Sequence, residues 1–139
     1  MIVLDTNVIS EFMGPAPEQR VVQWTDLQSR PSVWTTSITV FEIRTGLFAM
    51  PDGKRRAALQ LKFEQLLKSA LEGRILDFDS DSALRAAELS ADRRRRGRPV
   101  DARDTMIAGI VLATHATLAT RNTKHFEEIA PSLVNPWEA

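Results

Sequence analysis

The chain opens on the apolar residues Ile2, Val3 and Leu4, which run into Asp5 and then into Thr6 and Asn7. An apolar run this short, closed by capping-type side chains, predicts a strand over residues 2–5 and a short helix through about Met13. Gly14, Pro15 and Pro17 break that helix, and Val21, Val22, Trp24 and Leu27 are spaced for another. Residues 33–36 are β-prone and follow Pro31, so they read as a second strand. Residues 38–50 are apolar nearly all round, which predicts a buried helix ending at Pro51, Asp52 and Gly53. A longer amphipathic helix is expected from about Lys54 to Leu71. Residues 74–78 read as a third strand, Asp79 to Ser82 as a helix start, and Ala83 to Arg96 as a helix closed by Gly97 and Pro99. A helix over 102–114, a strand over 117–120 and a short strand near 132–135 complete the pattern. Strand and helix alternate throughout. The expected fold class is therefore α/β, with a central parallel sheet of four to five strands covered by helices on both faces and functional groups at the carboxyl ends of its strands.

Length changes this picture little: 139 residues suit a single domain, 1–139, with one enclosed core. No apolar run reaches the 18 or more residues of a membrane-spanning helix, and the N-terminus lacks the order of a secretory signal, so the expected location is the cytoplasm with no membrane partner. The lack of cysteine excludes disulfides, thiolate metal sites and cysteine nucleophiles. Eighteen basic and eighteen acidic residues cancel, which argues against a uniformly basic coat. Arg93, Arg94, Arg95, Arg96 and Arg98 nevertheless form a dense run just before Asp101 and Asp104. Such a run suits either a phosphate-attracting wall beside an acidic pocket or a solvated helix end.

Three carboxylates stand out. Asp5 closes the first strand, where this architecture places functional groups, although a helix N-cap would use the same residue type. Glu42 shares its helical face with Ile38, Thr39, Thr45, Gly46 and Ala49, with no lysine or arginine among them, and Arg44 points roughly opposite. An unpaired carboxylate there is costly unless it meets a cation or protonates. Asp104 falls in the first turn of an otherwise apolar stripe containing Ile107, Ala108 and Val111, and Asp101 is placed to cap the same helix. Asn122, after the strand over 117–120, is either a turn residue or a neutral oxygen donor. If these groups converge, two carboxylates 4 Å apart repel by about 4 kcal/mol at an effective dielectric near 20, which calls for a cation. Oxygen donors suit Mg²⁺, with Mn²⁺ able to substitute. Zinc is disfavoured, and His115 and His125 read as ordinary polar residues.

The segment Met1-Ile-Val-Leu-Asp-Thr-Asn-Val-Ile-Ser-Glu11 resembles the opening of a PIN domain. Ser37 to Gly46 resembles its second motif with Glu42 in the acidic position, Asp104 to Ala108 its third, and Leu118 to Phe126 its fourth. Asn135-Pro-Trp137 resembles the ending of the FitB-like branch of VapC toxins. The resemblance spans nearly the whole chain, with the motifs in order. It implies a PIN-like three-layer α/β/α fold and the toxin component of a type II toxin–antitoxin system: a Mg²⁺-dependent endoribonuclease that cuts RNA, forms a homodimer and higher toxin–antitoxin assemblies, and is silenced by a cognate VapB-like antitoxin. By the same resemblance Asp5 and Asp104 are metal-binding, Glu42 completes the catalytic set with Asn122, and Thr6, Asn7, Asp101 and Thr120 are supporting polar residues. Asn122 departs from the aspartate of many relatives, and a neutral amide there removes one negative charge from the pocket. A haloacid-dehalogenase-like phosphatase would need a second aspartate where Asn7 stands. A dinucleotide site would need a glycine-rich turn that the chain lacks. A catalytically silent PIN-like RNA- or protein-binding module is the alternative from another functional class. The helix around Phe63 to Leu71 is expected to help form an antitoxin groove, and Trp24, Trp34 and Trp137 to pack in the core.

Overall fold

A computed structural model describes residues 1–98 and 100–139. Pro99, one of the two expected helix stops, lies outside the described residues. Five short strands, β1 (Ile2–Leu4), β2 (Val33–Thr36), β3 (Ile75–Leu76), β4 (Thr117–Ala119) and β5 (Leu133–Val134), form one sheet in the order β3-β2-β1-β4-β5. All paired neighbours are parallel. The connections run outward from β1 to β2 and β3, then return to place β4 on the other side of β1. That reversal opens a crevice at the carboxyl ends of β1 and β4, the place where open α/β sheets hold ligands.

Alternation along the strands divides the core in two, because successive strand side chains point to opposite faces. On β1, Val3 joins a cluster with Leu89, Ile107, Val111, Leu118 and Phe126, whereas Leu4 joins Val8, Ile9, Val21, Ile43, Leu47 and Phe63. Helices α1 (Thr6–Met13), α2 (Gln19–Asp26), α3 (Ser37–Ala49) and α4 (Lys54–Gln65) supply the Leu4 side; α5 (Ser80–Arg95) and α6 (Ala102–Thr114) supply the other. The layers are therefore α/β/α. Gly109 lets α5 and α6 approach closely: a Cβ there would lie 2.5 Å from the Ser82 carbonyl oxygen and 2.7 Å from Ala86 Cβ. No helix among the described residues is long and apolar enough to cross a membrane.

Several boundaries differ from the sequence expectation. The strand expected over 74–78 pairs only at Ile75–Leu76. The expected helix from Lys54 to Leu71 is α-helical only to Gln65, then widens into a π-helical turn over Leu66–Ala70. There the Leu71 amide donates to the Leu66 carbonyl, and the left-handed Glu72 and Gly73 end the element. Helix α5 does begin within the expected Asp79 to Ser82 start, at Ser80, where the Asp79 carboxylate caps it by accepting from the Ser82 amide. Residues 123–132 form 3-10 turns, where no element was expected before the strand near 132–135. Helix α3 is not buried all round: Phe41 and Phe48, seven residues apart on one face, are 57% and 62% exposed. Apolar composition had suggested burial, but α3 covers the sheet with only one side. Trp24 and Trp137 pack against the Leu4 cluster, whereas Trp34 is half-buried.

Candidate active site

Asp5 sits where β1 becomes α1. It is the N-cap that its position suggested, Oδ1 accepting from the Thr6 amide at 2.8 Å, while Oδ2 accepts from the Thr120 hydroxyl at 2.8 Å and from Asn7 Nδ2 at 3.2 Å. Thr6 and Asn7 are accordingly helical residues of α1, not its caps. Asn7 also donates to Thr120 Oγ1 and accepts from the Arg121 amide, which fastens the β4 end to the start of α1. The Asp5 carboxylate is 3% exposed and has only neutral donors. Burial pushes its pKa up; the donors from Thr120, Thr6 and Asn7 pull it down, and the Asp104 charge adds to the rise.

Glu42 approaches from α3. Its Oε1 accepts from the Thr6 hydroxyl at 3.2 Å, and Thr6 Oγ1 in turn lies 3.2 Å from Thr39 Oγ1. Thr39 is held from behind by Thr36, whose hydroxyl caps α3 at the Thr39 amide. A line of buried or half-buried threonines thus joins the end of β2 to the glutamate. Partial burial raises the Glu42 pKa, opposed by Thr6 and by the positive charge of Arg103. Arg44 is turned away, as its wheel position requires, and pairs with Glu64 at 2.8 Å.

Asp104 comes from the first turn of α6. Asp101 caps that helix at the Arg103 amide, 2.8 Å away, as expected, and its pKa is held down by the Arg103 side chain and amide. Asp104 Oδ2 lies 3.0 Å from His125 Nδ1, where a ring N–H donates to the carboxylate. His125 and Arg103 are two residues at this edge that the sequence reading did not place in the site. His125 carried a weak signal, three residues beyond Asn122 in the fourth motif; Arg103 carried none beyond adjacency to Asp104.

Asn122 is brought to the same edge by its backbone: its amide donates to Thr120 Oγ1 at 3.0 Å, and its side chain has no hydrogen-bond partner among the described residues. The arginine run disperses, with Arg94 exposed and in no ion pair among the described residues. Arg93 is buried, donating to Glu128 at 2.6 Å, to Thr105 Oγ1 at 2.7 Å and to the His125 carbonyl at 2.7 Å, so it is no part of an outer wall. Arg95 and Arg96 pair with Asp92, and Arg98 with Glu127, all at the surface.

A groove of about 750 Å³ leads from the Thr6, Glu42 and Arg103 end of the site along α1, α3 and α4. Gly46 borders it with open space where a side chain would stand. From α4 it is lined by Arg55, Ala58, Leu59 and Lys62, whereas Leu66, Ala70 and Leu71 of the stretch expected to help form an antitoxin groove line a separate groove with Leu4, Ile9 and Phe12. For a divalent cation the donor chemistry fits. The anionic donors at this edge are carboxylate oxygens, and Asp5 has no charged partner to offset its burial. Among the described residues no three acids or imidazoles gather tightly enough to enclose an ion. A hard cation that keeps several waters needs only one or two direct carboxylates.

The chain matches the PIN domain family over residues 2–131. It is similar to VapC ribonuclease Y4jK of Sinorhizobium fredii, 42% identical over 99% of each chain. It is likewise similar to Toxin FitB of Neisseria gonorrhoeae, 37% identical over 99% of each. The crystal structure of FitAcB from Neisseria gonorrhoeae contains a chain with a TM-score of 0.89 at 37% identity, covering 100% of both chains.

Proposed function

This chain belongs to the PIN-domain family, among the VapC and FitB toxins, and on that premise we propose that it is a cytoplasmic, Mg²⁺-dependent endoribonuclease silenced by a cognate antitoxin. The observation that carries the reading is that Thr6 links Asp5 to Glu42 at the crevice beside β1 and β4, its amide donating to Asp5 and its hydroxyl to Glu42, with the Asp104 charge near enough to raise the pKa of both. Asp5 and Asp104 would hold the ion, and Mn²⁺ has compatible ligand preferences. When bound, the ion lowers the pKa of its water and offsets charge on the attacked phosphate. Thr120, Asn7 and the Thr6 amide fix the Asp5 carboxylate before any substrate arrives.

Glu42 faces the groove with a raised pKa, which makes it a stronger proton acceptor than an ordinary glutamate. Water oxygen joins phosphorus, its proton passes to Glu42, and the bond from phosphorus to the leaving sugar oxygen breaks; that oxygen takes its proton from solvent. Asn122 leaves this edge one negative charge poorer than an aspartate would, and its exposed amide is free to meet a water or an RNA oxygen.

Two further features support the assembly. Exposed Phe41 and Phe48 on α3 and the 61% exposed Leu61 on α4 provide apolar surface for a homodimer. The groove beside Glu42, largely apolar and bordered by Arg55 and Lys62, is suited to an antitoxin segment. The test is to incubate antitoxin-free protein and its Asp5→Asn variant with cellular RNA in Mg²⁺, Mn²⁺ or chelator, and to sequence new 5′ ends. Cleavage that requires both metal and Asp5 is expected. Metal binding without cleavage of any RNA would instead favour the catalytically silent module.

A further inference from the structure

We propose that Arg103 is the phosphate-binding residue of this site and that Asp101 is its positioning residue. Asp101 holds the guanidinium side-on, Nε donating to Oδ1 at 3.2 Å and Nη2 to Oδ2 at 3.1 Å. A guanidinium has five N–H donors, so two committed to Asp101 leave three. Those three find no acceptor among the described residues, and the side chain borders the groove together with Thr6 and Glu42. The planar fork is thus fixed on one edge and open on the other, a geometry matched to phosphate oxygens.

The electrostatics demand such a group. An RNA strand reaching Asp5, Glu42 and Asp104 brings its own negative charge against three carboxylates. The dense arginine run contributes no residue to the groove's lining: Arg93 is buried, Arg95, Arg96 and Arg98 pair with acids elsewhere, and Arg94 is exposed near the end of α5. Of the three cations bordering the groove, Lys62 donates to the Gly14 carbonyl at 2.9 Å and Arg55 belongs to α4 with the far wall. Arg103 alone comes from the helix that carries Asp104, one residue away. Asp101 therefore has a task beyond capping α6: it limits the rotamers of Arg103 so that less freedom is lost when phosphate binds.

This inference rests on the nuclease reading for its substrate, and its test separates the two. Binding of a fluorescent single-stranded RNA is measured as a function of salt, without metal, for the full antitoxin-free chain and for Arg103→Gln, Arg103→Lys and Asp101→Asn, alongside metal-dependent cleavage by each. Arg103→Gln is expected to lower kcat/KM by roughly tenfold to a hundredfold and RNA affinity with it, and to reduce the salt slope by about one phosphate contact. Arg103→Lys should restore the slope but only part of the affinity. Asp101→Asn should keep the slope and weaken binding by less than Arg103→Gln. Circular dichroism should leave all three folded, since both side chains are about half exposed. Unchanged affinity and slope in Arg103→Gln overturns the assignment even if the wild type cleaves. An Arg103 effect on RNA binding without cleavage by the wild type keeps the phosphate site and discards the nuclease reading.

Discussion

Asp5 and Asp104 carry the same functional group to the same edge of the sheet, yet they are built in different ways. Asp5 is enclosed: three neighbours from α1 and the end of β4 donate to its two oxygens, and the backbone that carries it continues a central strand. Asp104 is half-buried, with His125 at the rim, and its position depends on how α6 is seated. That seating comes from behind, where Arg93 ties α5 to Thr105 of α6 and to the 3-10 segment bearing His125 and Glu128. One corner is fixed by the groups around the carboxylate; the other is fixed by a buried clamp that never touches it.

The strongest way to break this contrast is Arg93→Met. It leaves Glu128 without its cation in a largely enclosed place, so the free energy of unfolding should fall by about 3–5 kcal/mol in urea titrations. Mn²⁺ affinity of the folded fraction should fall too, because Asp104 loses its seating. If stability drops and Mn²⁺ affinity does not, the clamp serves the fold alone. Thr120→Val attacks the other corner. It removes the hydroxyl shared by Asp5, Asn7 and the Asn122 amide, and activity should fall by roughly tenfold to a hundredfold.

A smaller effect sharpens the comparison through pH. Asp5 and Glu42 have raised pKa values, so the folded chain holds their protons more tightly than the unfolded one. Without metal, stability from these groups is greatest at low pH and is lost as pH rises from about 4 through their folded pKa values. Asp5→Asn removes its share of that loss. Its melting temperature should exceed the wild type's by a few degrees at neutral pH, with the gap closing as pH falls. A gap that is the same at every pH would show that charge burial is not its cause. Smallest of all should be His125→Ala: an exposed hydrogen bond at the rim predicts a loss of about twofold to tenfold in cleavage rate.

Much of this was legible in the chain. The Ile2 to Leu4 run and Asp5 defined β1 and its terminal carboxylate, because a strand end that also caps a helix leaves little freedom of reading. The charge-free wheel around Glu42 marked it as a residue needing a partner from another element. Boundaries were less legible where tertiary contacts outweigh propensity, as at β3 and in the π-helical turn after α4. The all-apolar look of α3 misled because composition records which residues can be buried and not which side of a helix finds a neighbour.

By itself, then, the sequence determined the alternation of elements, the acidic set and the polar residues that accompany it, since these follow from local periodicity and residue chemistry. Only the tertiary structure decided what those residues meet. Arg93 and Arg103 are both arginines beside acidic residues in the chain, and nothing local distinguishes them. Packing of α5 against α6 drew one into the interior, where it became a clamp, while the start of α6 aimed the other at the groove, because desolvation and ion pairing depend on neighbours that the chain brings together only after it folds.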